Sequence, residues 1–333
     1  MTDQTAPQEE GPLADARVTA DLPYDRAAWC AMMDRLTEEE GYFEPLGDRH
    51  FAFLHDDGPR LLVSFDRLED ILARPDRLPM ALELARARGW SLLSLIAEGE
   101  TWFRDKRVFG YVDRLVDDAF FDDFDQVIFL GSGPEGYAAA AFSVAAPGAQ
   151  VLLVCPRATQ DPDLAGWDRR SLRARRLNFT ERFGYAPDMV EGAGRVHLLY
   201  DPGQAEDAMH ASLFRGPQIR HLRLRHLRGR VDWALSSLNL WGAVVDAVAE
   251  DRLDRAEWAR IWRARRSFGP YLRGLLAQLR EQGATRREKW LCRGVTARQN
   301  APTFRRRLNE ILAQEAEAEA NQALAQSDTP PQG

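Results

Sequence analysis

Gly131-Ser132-Gly133-Pro134-Glu135-Gly136 is the segment of this sequence best suited to chemistry. It spells GxGxxG. Where such a turn joins a strand to a helix, its glycines let the backbone approach a pyrophosphate, and the helix N-terminus supplies free N–H groups and partial positive charge. That chemistry would be hydride transfer with NADP or FAD, and an oxidoreductase is one reading. The usual partner, an acid ending the next strand, is missing: the sequence there is Val154-Cys155-Pro156-Arg157. Arg157 would instead suit the 2′-phosphate of NADP. Ser132 offers the only hydroxyl in the turn and would be the nucleophile of a divergent serine esterase. Elsewhere, Cys30, Cys155 and Cys292 are far apart with no CxxC, which speaks against a disulfide framework or a zinc site. His50, His55, His197, His210, His221 and His226 show no HxxxH spacing, so no metal site is expected. The run from Gln218 to Arg228 is rich in arginine. If extended, it puts Leu222 and Leu224 on one side and His221, Arg223 and Arg225 on the other. Arg223 and Arg225 are therefore candidates for holding an anion, with Arg169, Arg170 and Arg173 as helpers.

Positioning these groups requires a particular order of elements. Asp25 to Glu39 has helical spacing, with Trp29, Met32, Met33 and Leu36 on one side. GYFEPLGD and RHFAFLHDDG follow, two extended pieces joined at Gly47-Asp48, which predicts a hairpin. Six short apolar runs come next: Arg60–Asp66, Ser91–Ala97, Gln126–Gly131, Gln150–Pro156, Arg195–Pro202 and Ile219–Leu224. Helical stretches separate most of them. Near-continuous apolar strands alternating with helices predict a parallel sheet covered on both faces, and right-handed crossovers make it doubly wound. Residues 165–188 read as an insertion carrying Trp167 and a run of arginines. Beyond residue 230 the spacing predicts helices over 231–249, 255–266, 271–282 and about 303–323, with Gly269-Pro270 breaking the second from the third.

This order places the glycine turn after the third parallel strand, where α/β-hydrolases carry the GxSxG nucleophile elbow. The text around it resembles the α/β-hydrolase-like proteins of bacterial capsule and accessory-secretion loci. The matching segments are RLLVSFD, SLLSLIAEGETWFRD with its Trp102-Phe103 turn, GSGPEGYAAAAF and PGAQVLLVCP, within roughly Arg60 to Pro202. The resemblance implies that the nucleophile position is Gly133, which has no hydroxyl and can form no acyl intermediate. It also places the triad acid at Asp201 and the histidine at His226. Trp102 falls on the same edge of the sheet, where it would either pack an insertion over the site or touch a ligand. The Ser-Gly-Pro turn is superficially similar to the pyrophosphate loop of phosphoadenosine phosphosulfate reductases. That family requires an SGGxDS loop and a Cys in ECGxH. This chain has SGPEGY, and Cys292 stands in KWLCRGVTAR.

Composition supports a globular protein with a substantial core: hydrophobic residues are 45% and charged residues 29% of 333. No apolar run is long enough for a membrane span, and the polar start MTDQTAPQEEGPLADAR lacks the features of a secretory signal. A cytoplasmic protein is therefore expected. The net charge of −7 hides an asymmetry. Residues 1–150 hold 29 acids against 14 bases, and the rest 22 against 30. The acidic total, without basic-aromatic interleaving, speaks against nucleic acid.

The expected organisation is a disordered start over 1–20 and an α/β-hydrolase-like domain over 21–230. A helical C-terminal extension follows over 231–312, then a helix end and disordered tail over 313–333. The expected function is a non-catalytic relative of the hydrolases, without a cofactor. It would bind a small anionic or saccharide-like ligand, or a protein partner, through Gly131, Ser132, Gly133, Gly136, Trp102, Arg223 and Arg225.

Overall fold

The apolar runs form one eight-stranded sheet in the computed structural model, which describes residues 25–38 and 40–327. Helix α1 (Arg26–Leu36) leads, capped by the Asp25 carboxylate on the Ala28 N–H and burying Trp29 and Met33. The hairpin β1 (Gly41–Pro45) and β2 (His50–His55) follows. Next come β3 (Arg60–Arg67), α2 (Leu68–Leu72), α3 (Met80–Arg86), β4 (Ser91–Ala97), α4 (Lys106–Asp117) and β5 (Gln126–Ser132). Helix α5 (Gly133–Phe142) then leads to β6 (Gln150–Val154). The insertion contributes only α6 (Pro162–Ala165), one 3-10 segment and α7 (Ala186–Met189) before β7 (Arg195–Tyr200), α8 (Ala205–Leu213) and β8 (Ile219–Arg223).

The sheet order is β1-β2-β4-β3-β5-β6-β7-β8. Strands β3 to β8 are mutually parallel, and β2 runs antiparallel to β1 and β4. This is an α/β-hydrolase-like fold. The inner strands are buried along almost their whole length, as a sheet covered on both faces requires. The edge strands β1 and β8 are half-exposed. Helix α5 is buried from Gly136 to Phe142, which its Ala-rich sequence permits without a polar face.

The C-terminal helices depart from the sequence reading. The single helix expected over 231–249 is two, α9 (Val231–Ser237) and α10 (Trp241–Ala249), parted at Asn239 with φ +50°. Val244, Val245 and Val248 of α10 are buried, Arg88 pairs with Asp246, and the Gln126 side chain donates to the Ala249 carbonyl. Helix α10 thus packs on the sheet. Helix α11 (Arg255–Ile261) tightens into a 3-10 segment before α12 (Gly269–Glu281), which carries Pro270 in its first turn. Helix α13 (Thr285–Thr296) was not expected. Its buried positions Glu288, Cys292 and Val295 have helical spacing, but exposed arginines conceal the stripe. Helix α14 (Pro302–Ser327) covers most of the stretch expected to be a tail, because EAEAEANQALAQ is made of strong helix formers. The expected disordered start, 1–20, and residues 328–333 lie outside the described residues. Among the described residues no helix is long and apolar enough to cross a membrane.

Candidate functional site

Strand β5 lies near the middle of the sheet, and the chain changes direction of travel beside it. From β3 it steps outward to β4, then crosses back to β5 and proceeds the other way through β6, β7 and β8. Open α/β sheets bind ligands in the crevice at the carboxyl ends of the strands near such a switch point. The residues there are Asp66 and Arg67 from β3, Ser132 and Gly133 at the β5–α5 turn, Cys155 after β6 and Asp201 after β7.

Gly133 is the pivot of the strand-to-helix turn. Ser132 is still extended, with φ −130° and ψ 140°, whereas Gly133 has φ +59°. A Cβ at 133 would meet only Glu135 Oε2, at 4.0 Å. The backbone angle rather than lack of room therefore favours glycine there. Gly131 and Gly136 are different. A Cβ on Gly131 would fall 2.3 Å from the Glu135 carbonyl oxygen, and one on Gly136 would lie 3.1 Å from the Gly131 carbonyl oxygen. These two glycines let the strand and helix backbones touch, so their lack of side chains serves the turn itself.

The groups around the pivot are mostly acidic. The Ser132 hydroxyl donates to the Asp232 carboxylate at the start of α9. Glu135, in the first turn of α5, lies 4.0 Å from Arg67, which also pairs with Asp70 at 3.1 Å. Asp66 accepts from the hydroxyls of Ser64 and Ser94 at 2.7 and 2.8 Å, and burial raises its carboxyl above the usual range against the pull of those bonds. Cys155 has φ +45°, and burial together with the Asp207 and Asp232 carboxylates raises its thiol well above the ordinary value. It is held as a thiol and is a poor nucleophile.

Asp201 and His226 do not form an acid–imidazole pair. Asp201 is buried, and its carboxylate accepts from three backbone N–H groups: Gly203 at 2.8 Å, and Leu227 and Arg228 at 2.7 Å each. It fastens the loop after β8 by its backbone. The ring of His226 belongs to an exposed residue with φ +71°, and its Nδ1 donates to Gln278 Oε1 of α12 at 3.0 Å. A side-chain amide thus occupies the place where a triad acid would orient the imidazole.

Trp102 is packed beneath the insertion, one of the two readings its position allowed. It is 1% exposed, with its ring 5.5 Å from those of Tyr137 on α5 and Phe179 of the insertion. Arg104 donates to the carbonyls of Asn178 and Arg182, and the Tyr137 hydroxyl to that of Phe183. The Trp102 turn is the seat on which the insertion packs, and its indole faces protein on both sides.

Sequence reasoning missed a buried cluster beneath the insertion. Asp168 is fully buried and accepts from Arg157 Nη1 at 3.0 Å, from two nitrogens of Arg170 at 2.9 Å each, and from His210 Nε2 at 2.9 Å. His210 Nδ1 accepts from the Ala158 N–H at 3.1 Å, so the ring proton is on Nε2. Arg170 also reaches Asp207 at 2.6 Å. Arg157 and Arg170, assigned above to a 2′-phosphate or an anion, are therefore engaged by carboxylates of the chain. The available signal was the Asp207/His210 pair one turn apart on α8, which gains meaning only once Asp168 is brought to it. Cys292 is buried between the C-terminal helices. Among the described residues no group of three or more His, Cys, Asp or Glu could hold a metal ion. Arg223 and Arg225 are exposed at the outer edge of the sheet, and Arg223 lines an open groove there.

The chain matches no protein-family profile and no curated protein sequence. Among solved structures it is similar to the capsule O-acetyltransferase of Neisseria meningitidis serogroup A, with 10% identity over 60% of this chain and 92% of that one, TM-score 0.39. Est1E from Butyrivibrio proteoclasticus is 12% identical over 66% of this chain and 99% of that one, TM-score 0.40. A Glycosylation Associate Protein complex from Streptococcus agalactiae is 17% identical over 60% of this chain and 44% of that one, TM-score 0.43.

Proposed function

We propose that this protein is a non-catalytic member of the α/β-hydrolase-like fold that acts by binding. The observation that carries the reading is the pivot: Gly133 stands at the turn with φ +59° and offers no hydroxyl, thiol or carboxylate. Acyl transfer needs a nucleophile, a base to take its proton and an acid to orient the base. Asp201 and His226, the residues expected to supply the last two, are held by other partners.

The ligand class follows from the charge at the crevice. Asp66, Glu135 and Asp232 gather near the pivot, with Arg67 shared among acids. Such a site suits a neutral, hydroxyl-rich ligand, saccharide-like in chemistry, whose hydroxyls donate to carboxylates. It suits a small anion less well. The same carboxylates count against NADP or FAD, as do the structural use of Gly131 and Gly136 and the engagement of Arg157 by Asp168. We assign no cofactor. Sulfonucleotide reduction has no support from Cys292, which lies buried between helices.

One observation favours a second reading. The Ser132 hydroxyl donates to Asp232, a serine–carboxylate pair in which Asp232 would have to serve as base. A fluorophosphonate probe followed by intact-mass measurement separates the two. The binding reading expects no adduct. A stoichiometric adduct mapped to Ser132 would replace it with a divergent esterase.

A further inference from the structure

Away from the switch point, the outer edge of β8 carries side-chain donors without acceptors among the described residues. No strand pairs with that edge among the described residues. The groove beside it has a volume of about 760 Å³ and runs between β8 and the start of α11. Arg220, Arg223 and Arg255 line it, and none of the three side chains has a hydrogen bond or ion pair among the described residues. Trp258 also lines it. This indole is 6% exposed, and its Nε1 is buried without an acceptor. The one acid in the lining, Asp254, is committed to capping α11, where it accepts from the Ala256 and Glu257 N–H groups at 2.8 Å each. The groove is thus an acceptor-poor surface rich in donors.

The backbone adds direction. The Val196 N–H donates to the Gln218 carbonyl, and the Leu224 N–H to the Tyr200 carbonyl. Even-numbered residues of this segment therefore turn their backbone groups toward β7. In a strand the N–H and C=O of one residue point the same way, so the odd-numbered residues turn theirs outward. The outward groups include the N–H and C=O of His221 and Arg223, in the middle of the groove.

We propose that β8 and α11 dock an extended acidic segment of a partner protein by strand addition. The backbone of the segment pairs with His221 and Arg223. Its carboxylates meet Arg223 and Arg255. Charged residues commonly guard exposed sheet edges against pairing. Guarding explains the arginines on β8 but not Arg255, which stands on α11 across the same groove. A second copy of this chain is a poor occupant, because β8 against β8 would bring Arg220, Arg223 and Arg225 of both copies together. The inference concerns a surface separate from the β5–α5 pivot and holds whether or not that pivot does chemistry.

The test is fluorescence polarisation with the full-length protein and a fluorescein-labelled decapeptide of alternating Glu and Thr. Saturable binding is expected. It should weaken about tenfold or more with an otherwise identical peptide N-methylated on every second residue, which keeps the charge but cannot complete the ladder. The double variant Arg223→Glu/Arg255→Glu should weaken it by a similar factor. Its melting temperature is measured alongside, and the N-methylated peptide tests the claim without any change to the protein. Equal binding of both peptides would mean that charge alone acts and would overturn strand addition. Equal binding of a Lys–Thr peptide, or absence of saturation, would overturn the proposal altogether. So would sedimentation showing a dimer that Arg223→Glu dissociates, since β8 would then be occupied by a second copy.

Discussion

Replacing Gly133 with serine restores the hydroxyl that the pivot lacks, and the structure specifies what should happen. A side chain at 133 meets no atom closer than Glu135 Oε2 at 4.0 Å, so the cost is conformational. An L-residue at φ +59° pays about 1–2 kcal/mol relative to glycine. Asparagine, which tolerates the left-handed region, should cost less. Domains of 150–250 residues lose roughly 2–4 °C per kcal/mol, so Gly133→Ser should melt a few degrees below the parent, with Gly133→Asn between them. Neither should hydrolyse p-nitrophenyl acetate above the parent protein. The new hydroxyl would lack an acid–base pair to activate it, since the Asp201 carboxylate is filled by backbone N–H groups and the His226 Nδ1–H is held by Gln278. Differential scanning calorimetry and an ester turnover assay on the three proteins check both parts. A Gly133→Ser protein as stable as its parent would refute the strain argument. Rapid ester turnover with a covalent adduct on the new serine would refute the reading that acid and base are disengaged, and with it the binding function.

Three further outcomes follow from the same geometry. Gly131→Ala should destabilise far more than Gly133→Ala, because its Cβ would lie 2.3 Å from a backbone oxygen rather than in open space; paired urea titrations give the order. Burial lowers the folded-state pKa of His50 and His197 to about 4, from an ordinary value near 6.5. The unfolded chain therefore binds more protons in that window, so stability is full above about pH 6.5 and falls as the pH drops toward 4. The loss is up to about 3 kcal/mol per histidine. His197→Leu should flatten the pH dependence of the melting temperature, and an unchanged slope would count against its buried, neutral state. Asp168→Ala should cost about 3–5 kcal/mol, because it strands Arg157, Arg170 and the His210 N–H without their shared acceptor. A loss under about 1 kcal/mol in chemical denaturation would show that the cluster is not holding the insertion down.

Much of the sheet was legible because its strands are local objects. Ser91–Ala97 was bounded to the residue, and the other parallel strands to within about two residues at each end, since a run of apolar residues ended by a turn needs no distant information. The position of the glycine turn in the strand order was legible for the same reason. What could not be read are the partners of the polar groups. Asp201 was singled out as an acid after β7, and its place is as expected. That its carboxylate faces the N–H groups of Leu227 and Arg228 rather than an imidazole depends on the path of a loop closed by Gln278, far along the chain. Trp102 was visible as an aromatic after a strand, but only the folded insertion, with Phe179 against its ring, makes it core. Arg157 and Arg170 looked like free cations because Asp207 and His210, on α8, are separated from them by a whole strand.

The same comparison bears on what kind of function this fold can carry. At the switch point, where a hydrolase-like sheet would do its work, the reactive side chains are satisfied from within: Ser132 by Asp232, Asp201 by the loop it fastens, His226 by Gln278, Arg157 by Asp168. At the outer edge of β8 the situation is reversed. Among the described residues the side chains of Arg220, Arg223 and Arg255 and the Trp258 N–H have no acceptor, and two residues of strand backbone face outward. Unspent hydrogen-bonding capacity at a sheet edge, together with spent capacity at the carboxyl ends of its strands, is what the proposed binding function would draw on. A measured turnover that depended on Ser132 would break that argument at its first step, whereas strand addition at β8 could survive such a result.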